Sequence, residues 1–391
     1  MDILISGASV AGPALAYWLD RLGHRTTVVE RAPSLRGGGY AVDFRGRIHL
    51  EVLAKMGILE AIRARQTRMG DLRYIDADGR VSARMPSAVF SGDVEILRGD
   101  LARILFDATA ARTRYVFGDE ITAMSQDPAG VDVRFASGGS HRYDLVVGAD
   151  GVHSGVRRLA FGEEAGFVRH LGYSVAIFPV PDRYGLDHTG ELYSVPGRTA
   201  SVFGTGAAEA TAVFYFVTPP PNGRVGPEQV RAAFAGAGWH CDELLAAMDG
   251  ATDFYGDTVA QVIADRWSAG RVALIGDAGY AAGPGGNGTG TSIVAAYVLA
   301  HELARAGDDV AAGLAAYERR LRPYVLGGQK QAASGADFLA PATWKAIKRR
   351  DRTFRMMTHL PTGKLIGWLS TRTATAIELP EEIPGPVPAA A

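Results

Sequence analysis

The chain has 391 residues, of which 47% are hydrophobic and 21% charged, a composition that excludes a wholly disordered protein. Its 41 basic and 42 acidic residues leave a net charge of −1, so no overall positive field exists to hold nucleic acid or an anionic membrane. The single cysteine, Cys241, excludes an intrachain disulfide and is typical of the cytoplasm. No apolar run reaches the roughly 18 residues of a membrane span, so we expect no stable membrane association.

The first 30 residues follow the order strand, glycine turn, helix, strand and acid. Residues 2–6 form a short apolar run that is typical of a buried strand, and Gly7 follows it directly. An apolar stripe at helical spacing comes next, and a second β-rich run ends at Glu30. The segment therefore has the arrangement of a βαβ unit.

This unit predicts a dinucleotide-binding site. A tight turn lets backbone N–H groups meet a pyrophosphate at a helix N-terminus, where the helix dipole favours anions. Gly7 and Gly12 bracket the turn, and Ser9 stands where the usual motif has its middle glycine. Glu30 lies at about the spacing of a carboxylate that accepts hydrogen bonds from ribose hydroxyls. An ordinary βα turn is the alternative, which the helix and the acid together disfavour.

An acid at a strand end also precedes a glycine-rich loop much later in the chain. The apolar run 271–275 is followed by Gly276 and Asp277, by the loop, and by a predicted helix that begins after Ser292. The acid can accept from a polyol chain, and the loop N–H groups can face an electron-rich ring edge. A similar apolar run at 144–149 ends in an acid and a glycine.

The segments GASVAG…VVER, DGVHSGVR and GDAGYAAGP together resemble the flavin-dependent monooxygenases related to para-hydroxybenzoate hydroxylase, over about residues 1–330. The members nearest in length are small single-component enzymes that inactivate tetracyclines or tailor antibiotics. The resemblance implies an α/β fold. A Rossmann-like FAD-binding domain of the glutathione-reductase type would be interleaved with a mixed β-sheet substrate domain and followed by a C-terminal helix.

The expected division of the chain has three parts. Residues 1–165 and 266–330 form a discontinuous FAD-binding domain, with residues 70–98 contributing to the substrate side. Residues 166–265 form the β-sheet substrate domain, and residues 331–391 form C-terminal helices and a loose tail. Within the tail, the basic segment 345–355 is interpreted as a solvated helix face.

The resemblance also implies which residues contact the cofactor. The assigned positions are Gly7, Ser9, Gly12, Glu30 and Arg31 for the ADP half of FAD, Arg98 beside the cofactor, Arg45 close to the flavin, Asp150 and Gly151 in the second motif, Asp277 on the ribityl chain, and Pro284, Gly288 and Gly290 beside the isoalloxazine. Aromatic side chains that could line an apolar cavity, although each is more often a core residue, are Phe178, Tyr193, Phe203, Phe214 and Phe216. The histidine spacings predict no metal site.

The implied activity is that of an FAD-dependent monooxygenase. NADPH or NADH would reduce the flavin, and O₂ would then give a flavin C(4a)-hydroperoxide that oxygenates a bulky aromatic or polycyclic small molecule. Because the cofactor carries the chemistry, no catalytic acid or base is assigned, and Arg45 is a candidate only for a place near the flavin. The expected setting is the tailoring or inactivation of an antibiotic or secondary metabolite.

Three other functions are alternatives to this one. A flavin halogenase is disfavoured because the five tryptophans never form its W-x-W signature. A nicotinamide-only dehydrogenase is disfavoured by the two later acid-and-glycine motifs. An FAD-binding protein whose cavity templates a non-redox cyclisation stays open, since Tyr280 stands where the family commonly has histidine and the loop at 286–291 departs from its pattern. The sequence does not determine the substrate, the choice of NADPH or NADH, or the oligomeric state.

Overall fold

The computed structural model describes residues 1–37, 40–219, 224–333, 336–359, 371 and 373–381. The strands in this part of the chain are β1 Asp2–Ser6, β2 Arg25–Glu30, β3 Ala41–Phe44, β4 Leu72–Ile75, β5 Val81–Met85, β6 Val94–Leu97, β7 Arg114–Phe117, β8 Ile121–Asp127, β9 Gly130–Phe135, β10 Ser140–Tyr143, β11 Leu145–Gly148, β12 Val168–Pro181, β13 Thr189–Val195, β14 Arg198–Gly204, β15 Glu209–Val217, β16 Tyr255–Val262, β17 Ser268–Ala269 and β18 Val272–Leu274.

The helices are numbered in the same way. They are α1 Ala11–Arg21, α2 Gly46–Lys55, α3 Leu59–Ala64, α4 Ser87–Phe90, α5 Arg98–Asp107, α6 Gly155–Phe161, α7 Pro227–Phe234, α8 Cys241–Met248, α9 Asp277–Tyr280, α10 Gly288–Ala306, α11 Val310–Ala333, α12 Ala336–Leu339 and α13 Trp344–His359. A 3₁₀ turn spans Glu164–Gly166.

The first sheet is a Rossmann-like layer with strand order β17-β18-β11-β1-β2-β7, in which all neighbours except β17 and β18 run parallel. Its central strand β1 is apolar from Ile3 to Ile5 because both of its faces are covered there. Ile3 and Ile5 pack with α1 and α10, whereas Leu4 packs toward the three-stranded sheet β10-β9-β8. The predicted α/β fold is therefore confirmed.

The second large sheet is mixed and has the order β16-β12-β15-β14-β13-β4-β5. Strands β13 and β4 run parallel and the other neighbours antiparallel, and the hairpin β4–β5 comes from far earlier in the chain than the rest. A further two-stranded sheet pairs β3 with β6. Strand β3 begins directly after Tyr40 and β6 ends directly before Arg98, and the backbone N–H of Arg98 donates to the carbonyl oxygen of Tyr40 at 3.1 Å.

The two faces of the seven-stranded sheet differ in what covers them. Helices α7 and α8 pack on one face, which we call the Phe214 face, and its core members include Phe178, Tyr193 and Phe216. Residues paired across antiparallel strands share a face, so Asp257 lies with its partner Val175 on the opposite side, which we call the Asp257 face. Four of the five candidate aromatics are therefore core residues of the Phe214 face, and Phe203 packs on the Asp257 face.

The C-terminal helix α13 packs on β5 and on the far end of the Asp257 face. Arg350 is buried there, with its Nη1 donating to Ser194 Oγ at 3.0 Å and its guanidinium 3.9 Å from the centroid of the Tyr74 ring. The predicted solvated basic face is wrong for this arginine, because Asp351 and the Tyr74 ring stabilise its buried charge. It is right for the exposed neighbours Lys345, Lys348, Arg349, Arg352 and Arg355.

The structure also changes the expected boundaries after the second glycine loop. Helix α10 begins at Gly288, not after Ser292, because Asn287 adopts a left-handed conformation with φ of +57° and starts the helix there. Residues 38–39 and 382–391, which include most of the expected loose tail, lie outside the described residues. The carbonyl oxygens of Pro380 and Glu381 accept from the Tyr297 hydroxyl at 3.3 and 3.0 Å.

Two features are absent from the described residues, a membrane-spanning helix and a cluster of metal ligands. Over these residues, no helix combines the length and the apolar character needed to cross a membrane. The same residues contain no group of three or more His, Cys, Asp or Glu side chains that could hold a metal ion.

Candidate functional site

The turn between β1 and α1 depends on two glycines. Gly7 has φ of +111°, and a Cβ there would lie 2.4 Å from the carbonyl oxygen of Ala149. A Cβ on Gly12 would lie 2.0 Å from the carbonyl oxygen of Gly7. Any side chain at either position would displace the backbone. The turn leads directly into α1, and the first N–H groups of a helix are suited to bind an anion.

Three of the predicted residues meet around this turn. Arg98 donates from Nη2 to Ser9 Oγ at 2.8 Å, which brings a positive charge to the start of α1. The Glu30 carboxylate accepts from the N–H groups of Ala8 and Ala32, each at 2.9 Å. The structure thus brings together Ser9, Glu30 and Arg98, although they are widely separated in the sequence.

The acid that follows β11 is held by its own loop. Asp150 accepts from Ser154 Oγ and from the N–H of Val156 at 3.2 Å, and Ser6 Oγ lies 3.5 Å away. Burial raises the pKa of Asp150, and these hydrogen bonds oppose the rise. Gly151 has φ of +82°, a conformation that favours glycine. Asp150 therefore stands beside the carboxyl end of β1.

Asp277 starts α9, is separated from the end of β18 by Ile275 and Gly276, and lines a small cavity at the carboxyl edge of the parallel sheet. Its surface remains accessible, yet burial raises its pKa and the positive charge of Arg98 opposes that rise. Accessible surface combined with desolvation is typical of a group at the floor of a concave cleft. The cavity lining includes Gly276, Asp277, Tyr280, Gly286, Gly288 and Thr291.

The glycines after Pro284 have different surroundings. A Cβ on Gly288 would lie 3.6 Å from Asp277 Oδ1, so this residue faces the predicted site. A Cβ on Gly290 would lie 2.1 Å from the buried ring of His49, so a glycine is required there for packing. Pro284 is half-buried at the start of the loop. Cofactor contacts of these three residues stay predictions.

Arg45 immediately precedes α2 and is buried, and its charge is paired within the protein. Its guanidinium pairs with Asp43 and donates to the carbonyl oxygen of Phe90 at 2.8 Å, while its backbone N–H donates to His49 Nδ1 at 3.0 Å. Arg31, in contrast, is exposed. The predicted contact between Arg45 and the flavin therefore stays a prediction.

Tyr280, where the family commonly has histidine, belongs to the protein core beside the cavity. Its hydroxyl lies 2.8 Å from that of Tyr317, and its ring centroid lies 4.5 Å from that of Trp267. Burial raises the pKa of Tyr280. Tyr280, in place of the usual histidine, thus forms a pair of phenols with Tyr317. The Tyr317 hydroxyl donates to the carbonyl oxygen of Leu274 at 3.1 Å.

The sequence analysis missed a group of tyrosines that flank the same cleft. Tyr40 and Tyr255 are 44% and 39% exposed, yet burial raises the pKa of each and the charge of Arg98 opposes the rise. Burial also raises the pKa of Tyr215, which lies on the Asp257 face. Alternation within β16 indicates that Tyr255 and Asp257 share a face, but nothing in the sequence shows what that face meets.

His153, within the second motif, was also missed. Its Nε2 lies 3.0 Å from Asp257 Oδ1, and its Nδ1 lies 3.0 Å from Glu164 Oε1. Tyr255 donates to Asp257 Oδ2 at 3.2 Å. These contacts connect the loop after β11 to β16 and therefore join the two large sheets.

The donor and acceptor set fits a flavin dinucleotide. The turn has no room for a side chain at Gly7 or Gly12, and Arg98 adds a positive charge beside the N–H groups at the start of α1, which suits a pyrophosphate. Glu30 suits ribose hydroxyls, and Asp277 suits the hydroxyls of a ribityl chain. Arg98 contacts the turn, and its positive charge opposes the rise that burial causes in the pKa of Asp277.

Comparisons with known proteins agree with this site. A family model described as FAD binding domain matches residues 1–327. An uncharacterised protein of Mycobacterium tuberculosis is 41% identical over 338 residues, covering 83% of this chain and 90% of its own length. A flavin-dependent monooxygenase from an unknown prokaryotic organism is 36% identical over 391 residues, covering 97% and 98%.

A solved structure extends the match to the whole fold. The crystal structure of tetracycline destructase Tet(55) is 35% identical, with a TM-score of 0.83, and covers 97% of this chain and 98% of its own. The sequence matches, the fold and the geometry around the glycine turn all indicate an FAD-binding protein. The chain belongs to the FAD-binding domain family and is a flavin-dependent monooxygenase of the group A flavoprotein hydroxylases.

Proposed function

We propose that the protein uses NADPH or NADH, together with O₂, to insert one oxygen atom into a bulky aromatic or polycyclic small molecule. The setting would be the tailoring or inactivation of an antibiotic or a related secondary metabolite. Family membership supplies FAD and the monooxygenase class. The name of the neighbour Tet(55), a tetracycline destructase, supports the substrate class.

The position of Arg98 carries the proposal. Its guanidinium contacts Ser9 in the glycine turn at 2.8 Å. The same charge acts on Asp277 at the second motif and on Tyr255 of the large sheet. These observations support one cleft that spans both cofactor motifs and the tyrosines of the sheet. We propose residues 1–165 and 266–330 as the FAD-binding part and 166–265, with 70–98, as the substrate part.

FAD, when bound, supplies electron transfer and oxygen activation. The chain's own part is to bind and orient. Arg98 and the N–H groups after Gly7 would hold the pyrophosphate, and Glu30 would accept from the ribose. Asp277 would accept from the ribityl hydroxyls, with Asp150 beside the end of β1. The positioning of the reacting groups by these contacts lowers the entropic part of the barrier.

The tyrosines give the cleft its substrate preference. Tyr40, Tyr215 and Tyr255 present flat aromatic rings, each with a polar tip, which suits a polycyclic ligand that carries oxygen substituents. The ring faces exclude water, which strengthens electrostatic interactions inside the cleft. These properties favour an aromatic or polycyclic substrate over a small aliphatic one.

The first experiment follows reduced nicotinamide and O₂ together. The FAD-loaded protein should oxidise NADPH or NADH faster when a tetracycline or a polycyclic phenol is added, and one labelled atom from isotopic O₂ should appear in the product. Oxidation without incorporation would indicate uncoupled turnover and contradict the proposal. Conversion of a substrate without nicotinamide or O₂ would favour the template function.

A matched pair of arginines on α5 tests the cofactor site. Arg98→Ala should weaken FAD binding roughly tenfold to a hundredfold, because a charged hydrogen bond is lost. Arg103→Ala is the control, since Arg103 is half-exposed on the same helix and pairs only weakly with Asp107 at 3.9 Å. FAD titration of the stripped protein measures both values. Equal effects of the two variants would contradict the assigned site.

A further inference from the structure

Three donors lie within hydrogen-bonding distance of the two carboxylate oxygens of Asp257. Tyr255 donates to Oδ2 at 3.2 Å, the backbone N–H of Thr258 donates to Oδ1 at 2.8 Å, and His153 Nε2 lies 3.0 Å from Oδ1. A carboxylate that accepts several hydrogen bonds favours its ionised form. Burial works to raise the pKa of Asp257, but the hydrogen bond and charge of His153 hold it below the ordinary value.

His153 lies between two carboxylates that favour its protonated form. One ring nitrogen faces Asp257 and the other faces Glu164 at 3.0 Å, and both carboxylates only accept when ionised. Both contacts can be hydrogen bonds at once when both ring nitrogens carry a proton, so the pair stabilises the protonated ring. The hydrogen bond to Asp257 accordingly raises the pKa of His153.

This arrangement fixes the direction of the hydrogen bond at Tyr255. An ionised Asp257 can only accept, so the phenol hydrogen of Tyr255 points to it. The phenol oxygen then has only lone pairs left to offer. Tyr255 is 39% exposed, and its hydroxyl is joined through Asp257 to His153, which lies in the same loop as the candidate cofactor residue Asp150. A ligand in the cleft therefore meets an acceptor at this position.

We propose that the Tyr255 oxygen accepts a hydrogen bond from an O–H or N–H donor of the ligand in the cleft, with its polarity set by Asp257 and His153. The inference rests on the proposed function in placing a ligand in the cleft. Two sources carry this chemistry: a phenolic or enolic hydroxyl of the substrate, and a hydroxyl or ring N–H of the cofactor. Tyr255 would make contact with the ligand, whereas Asp257 and His153 are positioning residues.

A pair of probes that differ in one donor tests the inference. Dissociation constants of 2-hydroxyanthraquinone and 2-methoxyanthraquinone are measured on the FAD-loaded protein by the change in flavin fluorescence. The wild-type protein should bind the hydroxyl probe roughly three- to tenfold more tightly than it binds the methoxy probe. Tyr255→Phe keeps the ring and removes the oxygen, so this preference should vanish.

Two further variants separate the acceptor from a general packing effect. Asp257→Asn keeps the shape, but its amide can donate to Tyr255, so the phenol hydrogen becomes free and the hydroxyl preference should also fall. Tyr193→Phe is the matched control, because Tyr193 lies in the same sheet on the Phe214 face and donates to Ala237 at 3.0 Å. It should leave the preference unchanged. If Tyr255→Phe fails to fold, Asp257→Asn decides.

FAD titration distinguishes the two sources of the donor. Loss of the hydroxyl preference with unchanged FAD affinity assigns the donor to the substrate. Weaker FAD binding by about threefold or more in Tyr255→Phe, with unchanged probe preference, assigns it to the cofactor. If the variant changes neither value, the inference is overturned. Failure of oxygen incorporation with an intact hydroxyl preference would overturn the proposed function alone.

Discussion

The two faces of the seven-stranded sheet are built by alternate residues of the same strands, yet they have opposite chemistry. On the Phe214 face, Phe214 stacks on Phe178 at 5.6 Å and meets Phe234 edge-on at 4.6 Å, with Cys241 fully buried nearby. The Asp257 face carries tyrosines, a carboxylate and buried hydroxyls. One face therefore stabilises the fold, and the other keeps polar groups where a ligand can use them.

The difference shows that polarity follows from what covers each face. Helices α7 and α8 pack apolar side chains on the Phe214 face, so a polar group there needs its own partner, as the Tyr193 hydroxyl has in the carbonyl oxygen of Ala237. The Asp257 face meets the loop after β11, whose His153 can neutralise a buried carboxylate. The Asp257 carboxylate is stabilised on this face because its counter-charge, His153, comes from a loop of the other large sheet.

The largest expected effect comes from breaking the Phe214 face. Phe214→Ala removes a fully buried ring and leaves a cavity between Phe178 and Phe234, so we expect a loss of about 3–5 kcal/mol in the free energy of unfolding. Tyr215→Phe, at the next residue and on the other face, should lose less than about 1 kcal/mol. Urea denaturation of both variants measures the contrast. Similar losses would show that the two faces contribute equally to stability.

Local chemistry made much of the fold predictable. The apolar run before Gly7 gave a buried strand because a central parallel strand needs no polar residues. Pro227 at the first position of α7 marked that helix correctly, since proline fits the first turn. The start of α10 was missed because the sequence does not show that Asn287 takes a left-handed conformation and lets the glycines after it become helical.

The cofactor motifs of the site could be predicted, but its ligand-facing side could not. Glu30 and Ser9 lie in local motifs whose geometry follows from one βαβ unit. Tyr255 and His153 are about a hundred residues apart and meet only because β16 packs beside the loop after β11. Alternation in a strand reveals two faces but not which one a distant loop will cover.

The next largest expected effect is the pH dependence of the contribution that His153 makes to stability. The groups facing its ring are Asp257 from β16 and Glu164 from the 3₁₀ turn, with Arg157 of α6 lying 3.6 Å from the same Glu164. The raised pKa of His153 means that its contribution to stability is full below about pH 6.5 and disappears as pH rises through the folded-state value. His153→Gln should therefore destabilise the protein clearly at about pH 6 and little at about pH 9.

His170 provides the control of opposite sign. Burial lowers its pKa, so its protonation at acidic pH opposes folding. His170→Gln should gain stability relative to the wild-type protein at acidic pH. Thermal unfolding midpoints across the pH range measure both variants. A pH-independent loss in His153→Gln would indicate that the ring acts through packing, not through its charge.

The smallest expected effect concerns two serines on the Asp257 face. Ser194 Oγ lies 2.9 Å from Thr199 Oγ1 and accepts from Arg350, whereas Ser201 Oγ is buried with no hydrogen-bond partner among the described residues. Ser194→Ala should lose about 1 kcal/mol or more, because its removal leaves buried donors unpaired. Ser201→Ala should range from no change to a gain of about 1 kcal/mol, since an unpaired buried hydroxyl is costly. Denaturant titration of both variants checks the order. A loss in Ser201→Ala comparable to that in Ser194→Ala would mean that the Ser201 hydroxyl has a stabilising partner, and that this face is closed to ligands at that position.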